Sequence, residues 1–228
     1  MQPRFVGRLG PADVVTVANA TLGFLAAVVA ALDPALAARA ILLAAVADGL
    51  DGVLARRYGG SKVGEFVDSL ADVASFCVAP AVFVFNVARA AWDVSLTDPT
   101  QLTLVALVLP ALFVAAGVTR LGLYTAYDVG ERYTEGVQTT LAATVLAAAY
   151  LAGIAQPAVL LGATVVFSYL MVTTVRYPEL YARDAVGMGV VQSLAIAVPA
   201  VAFRVFPRLL LVAALAYLAL APRYYWRE

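Results

Sequence analysis

Apolar stretches follow one another along almost the whole chain and are separated by short polar loops. A membrane-spanning helix needs about 20 mostly apolar residues, and about eight stretches meet or approach that length. They cover residues 13–32, 36–56, 64–88, 101–124, 138–153, 157–175, 185–203 and 207–221. The pattern predicts an all-α integral membrane protein. We expect a bundle of about eight transmembrane helices, with a range of six to eight because the fifth and eighth stretches are short.

The composition agrees with this prediction and limits the classes of function. Of the 228 residues, 63% are hydrophobic and 13% are charged, whereas a soluble domain carries about 25% charged residues. The net charge of zero argues against a nucleic-acid partner. The sequence has no histidine and its one cysteine is Cys77, which excludes histidine catalysis, an internal disulfide and a thiolate metal cage. We expect one transmembrane domain over residues 1–228.

The distribution of lysine and arginine predicts the orientation, because these residues concentrate in cytoplasmic loops. If the N-terminus lies inside, Arg39, Arg89, Arg204 and Arg208 fall on the outer side and the other basic residues on the inner side. Both termini should then be cytoplasmic, and so should the loop at residues 57–63. We expect a multi-pass protein of the cell membrane whose site opens to the cytoplasm.

Four aspartates interrupt the second and third apolar stretches. Each would cost roughly 2.5–3.5 kcal/mol at the centre of a membrane helix, so we expect them to face a polar cavity. Asp48 and Asp51 are three residues apart and Asp68 and Asp72 are four apart, so each pair shares one helix face. Carboxylates this close need compensating positive charge, and oxygen ligands favour Mg²⁺, Mn²⁺ or Ca²⁺. Four can hold two ions, the arrangement used in phosphoryl displacement.

The residues beside these aspartates suggest a ligand with a phosphate. Gly52 and Ala55 are small enough to let a planar ligand or another backbone approach, and Arg56 can bind a phosphate through paired hydrogen bonds. A divalent-cation transporter would also use buried carboxylates. It is the alternative from another functional class.

The same residues resemble the signature of the CDP-alcohol phosphatidyltransferase family, D-x2-D-G-x2-A-R followed by G-x3-D-x3-D. Every fixed position of the signature, which spans residues 48–72, is filled: Asp48, Asp51, Gly52, Ala55, Arg56, Gly64, Asp68 and Asp72. One departure lies in the loop, where seven residues separate Arg56 from Gly64 and the family usually has one more.

Further segments resemble the phosphatidylserine, or archaetidylserine, synthase branch of this family. They are Thr16, Asn19 and Gly23, and the segments 68–80, 136–140 and 171–178. Cys77 stands where glycine is usual, and Gln138 where proline is usual. The resemblance covers about residues 16–178, so the helices predicted at 185–221 are an addition at the C-terminal side.

This resemblance implies a reaction and its partners. The phosphatidyl or archaetidyl group of CDP-diacylglycerol or CDP-archaeol would pass to the hydroxyl of L-serine, with release of CMP, in phospholipid biosynthesis. A homodimer embedded in membrane lipid is also implied. Glycerol 3-phosphate or an inositol phosphate is the alternative acceptor, although either would call for extra basic groups that the loops lack. The intact set of Gly52, Ala55, Arg56 and Gly64 favours the enzyme over a transporter, because ion binding alone needs none of them.

The resemblance also implies a role for each residue of the signature. The four aspartates Asp48, Asp51, Asp68 and Asp72 would bind two divalent ions, Mg²⁺ or Mn²⁺. Asp72 would in addition act as the general base toward the attacking hydroxyl. The contacts to the CDP-lipid would come from Gly52, Ala55, Arg56, Gly64 and Asn19.

Three more side chains are candidates for binding the acceptor or a phosphate. Arg120 and Arg176 can form paired hydrogen bonds to a carboxylate or phosphate, and Ser75 lies on the same helix face as Asp72. A structural role stays open for each. Arginines at span ends often serve topology, a helix serine often bonds to backbone, and Asn19 can join two helices.

Overall fold

A computed structural model of the chain describes residue 3 and residues 5–129, 133–178 and 180–226. It is 78% helical, and the predicted all-α fold is confirmed. The helices are α1 (Pro11–Val29), α2 (Pro34–Tyr58), α3 (Gly64–Asp72), α4 (Ala79–Trp92), α5 (Gln101–Leu123), α6 (Thr139–Ala152), α7 (Pro157–Met171), α8 (Ala182–Ala197) and α9 (Val201–Tyr224). Two short strands, β1 (Tyr133–Glu135) and β2 (Arg176–Pro178), pair antiparallel.

Each predicted apolar stretch contains a helix of the structure. Within the described residues, four helical stretches are long and apolar enough to cross a membrane: Pro11–Val29, Gly64–Trp92, Gln101–Asp128 and Val201–Tyr224. Helices α6 and α7 are apolar but shorter, and α2 interrupts its 25 residues with charged side chains. The chain is thus a multi-pass membrane protein. The number of crossings and the cytoplasmic position of both termini remain predictions. Arg4, Arg132 and Arg227, which the orientation argument counted, lie outside the described residues.

The third predicted stretch is divided by a π-helical segment, Val73–Val78, which joins α3 to α4. Pro80 lacks an N–H, and its ring would clash with the carbonyl four residues earlier in a regular α-helix. The wider π turn, in which the Ala79 N–H bonds to the Ala74 carbonyl, accommodates it. Because the turn starts directly after Asp72, it changes the angular position of Ser75 relative to the aspartates.

Helix α8 ends earlier than the predicted stretch 185–203. Ala202, Phe203 and Arg204 have φ values of 46°, 55° and 66°, in the left-handed region. The chain therefore turns between α8 and α9, and the right-handed part of α9 follows Arg204. The predicted stretch extended beyond Ala197 because the residues of this turn are mostly apolar and include no glycine.

Helix α6 lies at the centre of the bundle. Nearly all of its residues are buried, and it packs against α2 and α9, while α1 packs against α2 and α3. The paired strands tie the α5–α6 connection to the α7–α8 connection. This arrangement brings α1, α2, α3 and the start of α6 around the predicted aspartate site.

Candidate active site

Three of the four predicted aspartates converge between α2 and α3. Asp48, Asp68 and Asp72 each offer a carboxylate oxygen, and these oxygens all lie within 4.8 Å of one another. Asp72 is buried, and its Oδ1 has no hydrogen-bond partner among the described residues. Buried carboxylates need a positive partner. The three converging carboxylates fit a divalent metal ion.

Asp51 lies beside this cluster and points to a different neighbour. Its Oδ2 accepts a hydrogen bond of 2.7 Å from the Thr16 hydroxyl of α1, and both side chains are buried. Asp51 and Asp68 line the same cavity. The structure therefore brings three predicted ligands together and places the fourth at their edge. Thr16 belongs to the quoted first-helix pattern, but sequence reasoning gave it no role.

The start of α6 adds two hydroxyl groups that sequence reasoning also missed. Thr140 donates a 3.4 Å hydrogen bond to Asp48 Oδ2, and the fully buried Thr139 hydroxyl has no partner in the described part of the chain. Gly136, at φ 76°, lies directly against the backbone of Met171, where any side chain would clash. This turn fixes where α6 begins and so presents Thr140 to Asp48.

A cavity of about 220 Å³ lies between α1, α2 and α3 on one side of the aspartates. Three of the residues predicted to contact CDP, Gly52, Ala55 and Gly64, line it together with Asp51 and Asp68. The absence of large side chains at these three positions leaves the space open. We call this the small cavity.

A second cavity, of about 460 Å³, lies between α2, α6 and α8. Its polar lining includes Asp48, Arg56 and Thr140, and most of the other lining residues are apolar. Arg56, predicted to contact CDP, is on this side, and its Nη1 lies 3.5 Å from where a Cβ on Gly52 would be. We call this the large cavity. The aspartate cluster joins the two, because Asp48 lines one and Asp68 lines the other.

Helix α8 forms one wall of the large cavity although it lies beyond the resemblance. Met188, Gly189 and Gln192 line the cavity. The buried Gln192 side chain donates a 2.7 Å hydrogen bond to the Leu42 carbonyl of α2. This bond holds α8 against α2 about two helical turns before Asp48.

Arg120 is a buried cation close enough to Asp72 for their charges to interact. Its Nη2 donates to Thr134 at 2.9 Å, and the Thr134 hydroxyl donates to Asp128 at 3.3 Å. The guanidinium lies 5.0 Å from the Tyr124 ring centroid. Its Nε has no partner within the described ranges. Arg120 is therefore held in place with one donor still available.

The other candidate residues have contrasting surroundings. Arg176 is exposed, forms a 3.2 Å ion pair with Glu135 opposite it in the strand pair, and lies over the Tyr133 ring. The Ser75 hydroxyl donates to the Asn19 carbonyl at 2.8 Å, at a contact between helices. The Asn19 side chain is fully buried, and neither amide atom has a partner among the residues the structure describes. Within these residues the Asn19 amide is thus unsatisfied but lines neither the small cavity nor the large cavity, while the hydrogens of Ser75 and Arg176 Nε are engaged.

Comparison with known proteins identifies related sequences. A family model described as CDP-alcohol phosphatidyltransferase matches residues 10–175. The chain is similar to an archaetidylserine synthase of Methanothermobacter thermautotrophicus, with 28% identity over 172 residues, 73% of this chain and 69% of that protein. It is also similar to a CDP-diacylglycerol–serine O-phosphatidyltransferase of Mycobacterium leprae, with 51% identity over 53 residues, 23% of this chain and 18% of that protein. The family match ends before α8 and α9.

Proposed function

The chain belongs to the CDP-alcohol phosphatidyltransferase family of enzymes, and we propose that it transfers the lipid phosphate of a CDP-lipid to the hydroxyl of L-serine, releasing CMP. The observation that carries this proposal is the convergence of Asp48, Asp68 and Asp72 at the junction of two cavities of different character. Serine is the acceptor in the names of both relatives. The lipid donor is CDP-archaeol or CDP-diacylglycerol.

The aspartates supply the metal site and the base. Asp48, Asp68 and Asp72 would hold divalent ions, Mg²⁺ or Mn²⁺ and two per site, with Asp51 as a ligand at the edge of the cluster. When bound, such ions neutralise the diphosphate and stabilise the charge on the departing CMP. Asp72 Oδ1, buried and unpartnered among the described residues, would accept the proton of the serine hydroxyl as it attacks phosphorus.

The two cavities suit the two ends of a CDP-lipid. The small cavity, with Gly52, Ala55 and Gly64 in its lining, would take the nucleotide. The large cavity, with its mostly apolar lining, would take the lipid chains. The diphosphate then lies at the aspartates between them, beside Arg56. The proposed contact of Asn19 with the CDP-lipid is supported by the family resemblance alone, since this side chain lines neither cavity.

The surroundings of Arg120 favour an acceptor with a carboxylate. Its buried Nε can donate to the carboxylate of L-serine in a charge-assisted hydrogen bond. A phosphorylated acceptor would call for more cations, and the guanidinium of Arg176 is already paired with Glu135. These observations support serine over glycerol 3-phosphate or an inositol phosphate.

The membrane location, the orientation and the oligomeric state of the enzyme are also part of the proposal. We place it in the cell membrane with the site open to the cytoplasm, because most basic residues fall on the predicted inner side. We further propose a single transmembrane domain over residues 1–228 and a homodimer. The family resemblance supports the homodimer.

The proposed reaction is tested by CMP release and lipid analysis with purified protein, a CDP-lipid and one acceptor at a time. L-serine should give CMP and a serine phospholipid, glycerol 3-phosphate and inositol phosphate should not, and Asp72→Asn should give neither product. EDTA should stop the reaction and Mg²⁺ or Mn²⁺ should restore it. Product with another acceptor would overturn the serine assignment. Mn²⁺ flux into liposomes without any CDP-lipid turnover would favour a transporter.

A further inference from the structure

Asp13 lines the small cavity although it lies outside the family signature. It sits in the first turn of α1 and is only 2% exposed. Its Oδ2 accepts a 2.6 Å hydrogen bond from the Gly10 N–H, which caps the helix and fixes the side chain. The carboxylate is therefore held in one orientation at the wall of the cavity.

The second oxygen of Asp13 remains available to a ligand. Across the described residues, no hydrogen bond to Oδ1 is formed, and this atom lies 3.3 Å from the position that a Cβ on Gly64 would take. Gly64 is one of the small residues that keep the cavity open. An ionised carboxylate oxygen at a cavity wall accepts hydrogen bonds from donors that enter the cavity. Asp13 Oδ1 can therefore accept a hydrogen bond from a molecule bound in the small cavity beside Gly64.

The chemistry of the nucleotide supplies such a donor. An ionised carboxylate only accepts hydrogen bonds, and the exocyclic N4 amine of cytosine is a donor that aspartate recognises. Uracil has a carbonyl oxygen at the same ring position, which a carboxylate would repel. We propose that Asp13 Oδ1 accepts a hydrogen bond from cytosine N4 and makes the site select cytidine over uridine nucleotides. This inference rests on the proposed function, because it assigns the small cavity to the nucleotide.

A neighbouring hydroxyl is placed to complete recognition of the ring. Ser61 also lines the small cavity, and its Oγ accepts a 3.2 Å hydrogen bond from the Val63 N–H. That contact leaves the Ser61 hydrogen free to be donated to an acceptor on the cytosine edge. The Ser61 hydroxyl as donor and the Asp13 carboxylate as acceptor therefore match an edge of cytosine that carries both an acceptor and the N4 amine donor.

The test compares CMP and UMP as inhibitors of serine phospholipid formation by the Mg²⁺-loaded enzyme. The wild type should bind CMP at least about tenfold more tightly than UMP, the size expected for one base contact of 1–3 kcal/mol. Asp13→Asn keeps an oxygen for the Gly10 cap and adds an amide donor that suits the uracil carbonyl. It should reduce the CMP preference about tenfold or more.

Asp33→Asn is the matched control, since Asp33 caps α2 through Ala35 and Leu36 and lies outside the small cavity. Asp33→Asn should keep the wild-type preference for CMP over UMP.

A second experiment uses only the wild-type enzyme and so does not depend on the folding of a variant. CMP dimethylated at N4, which has lost the N4 hydrogens, should inhibit about tenfold less than CMP. Equal inhibition by these two nucleotides, or an unchanged CMP preference in Asp13→Asn, would overturn the role of Asp13. Absence of any serine phospholipid from the wild type would instead overturn the proposed function.

Discussion

Asp72 differs from Asp48 and Asp51 in how its oxygens are occupied. Asp48 and Asp51 each accept a hydrogen bond from a threonine, which restricts the orientation of their carboxylates. Asp72 is buried and keeps Oδ1 without a partner in the part of the chain described. A base must have an oxygen free for the proton it accepts. This contrast supports Asp72 over Asp48 and Asp51 as the base.

Asp72→Asn should reduce kcat by at least about 10²- to 10⁴-fold, the usual contribution of general acid–base catalysis. The amide keeps the shape of the side chain but cannot accept the serine proton, so the protein should still fold. Initial rates of serine phospholipid formation, with a thermal unfolding curve in detergent, measure both effects. Asp98→Asn, in an exposed loop, is the control. A variant with near-normal kcat would contradict the assignment.

Arg120→Lys should raise the KM for L-serine about tenfold while the KM for the CDP-lipid changes little. Lysine keeps the positive charge but lacks the planar fork that reaches Thr134 and a carboxylate together. Arg176→Lys is the matched control, because Arg176 already pairs with Glu135 at an exposed site, where ion pairs contribute little. If the serine KM is the same in both variants, Arg120 does not bind the acceptor.

Sequence alone could find the aspartates but not the residues that orient them. A carboxylate in an apolar stretch is conspicuous because burying it is costly. A threonine is not, since its hydroxyl can bond within its own helix, and Thr16 bonds to both the Ala12 carbonyl and Asp51. The partners of Thr16 and Thr140 lie 35 and 92 residues away. Only the packing of α1 and α6 against α2 reveals them.

At the scale of elements, the contact between α1 and the π-helical segment depends on one glycine. A Cβ on Gly23 would lie 2.6 Å from both the Cα and the Oγ of Ser75, so the two segments touch backbone to backbone. The same contact lets the Ser75 hydroxyl reach the Asn19 carbonyl. It thereby sets the distance between α1 and the residues that follow Asp72.

Gly23→Ala should destabilise the protein by about 1–3 kcal/mol, the usual cost of overpacking. The methyl group would meet backbone atoms that cannot turn away, so α1 must shift from the π-helical segment. Gly162→Ala is the control, because this exposed residue of α7 has nothing within 4 Å of the added Cβ, and alanine favours helix. Thermal unfolding in detergent compares the two. Equal melting temperatures for Gly23→Ala and the wild type would contradict the close contact.

The apolar pattern predicted the positions of the helices because each helix is a long segment whose apolar side chains are buried or face lipid. It did not predict the π turn before Pro80, the strand pair or the left-handed turn at Ala202. The strands are three residues each and join segments about 40 residues apart. Such features come from contacts between distant segments, which hydrophobic periodicity does not record.

At the scale of the whole molecule, α8 and α9 complete a site that the family match does not cover. The matched residues 10–175 contain the aspartates and the whole lining of the small cavity. The large cavity instead takes one wall from α8, held to α2 by Gln192. Sequence reasoning assigned these helices no role because their residues match no motif. Their position beside the mostly apolar large cavity is the reason for proposing that they bind the lipid end of the substrate.

Met188→Trp should therefore separate binding of the lipid from binding of the nucleotide. The indole would fill part of the large cavity next to Gly189, so the KM for the CDP-lipid should rise about tenfold or more. The inhibition constant for CMP, which has no lipid chains, should stay at the wild-type value because the small cavity is untouched. Val190→Trp, on the exposed side of the same helix, controls for the bulk of tryptophan and should alter neither constant. Equal losses of CDP-lipid and CMP affinity in Met188→Trp would mean that α8 supports the fold of the site in general. An unchanged KM would show that the lipid chains lie elsewhere.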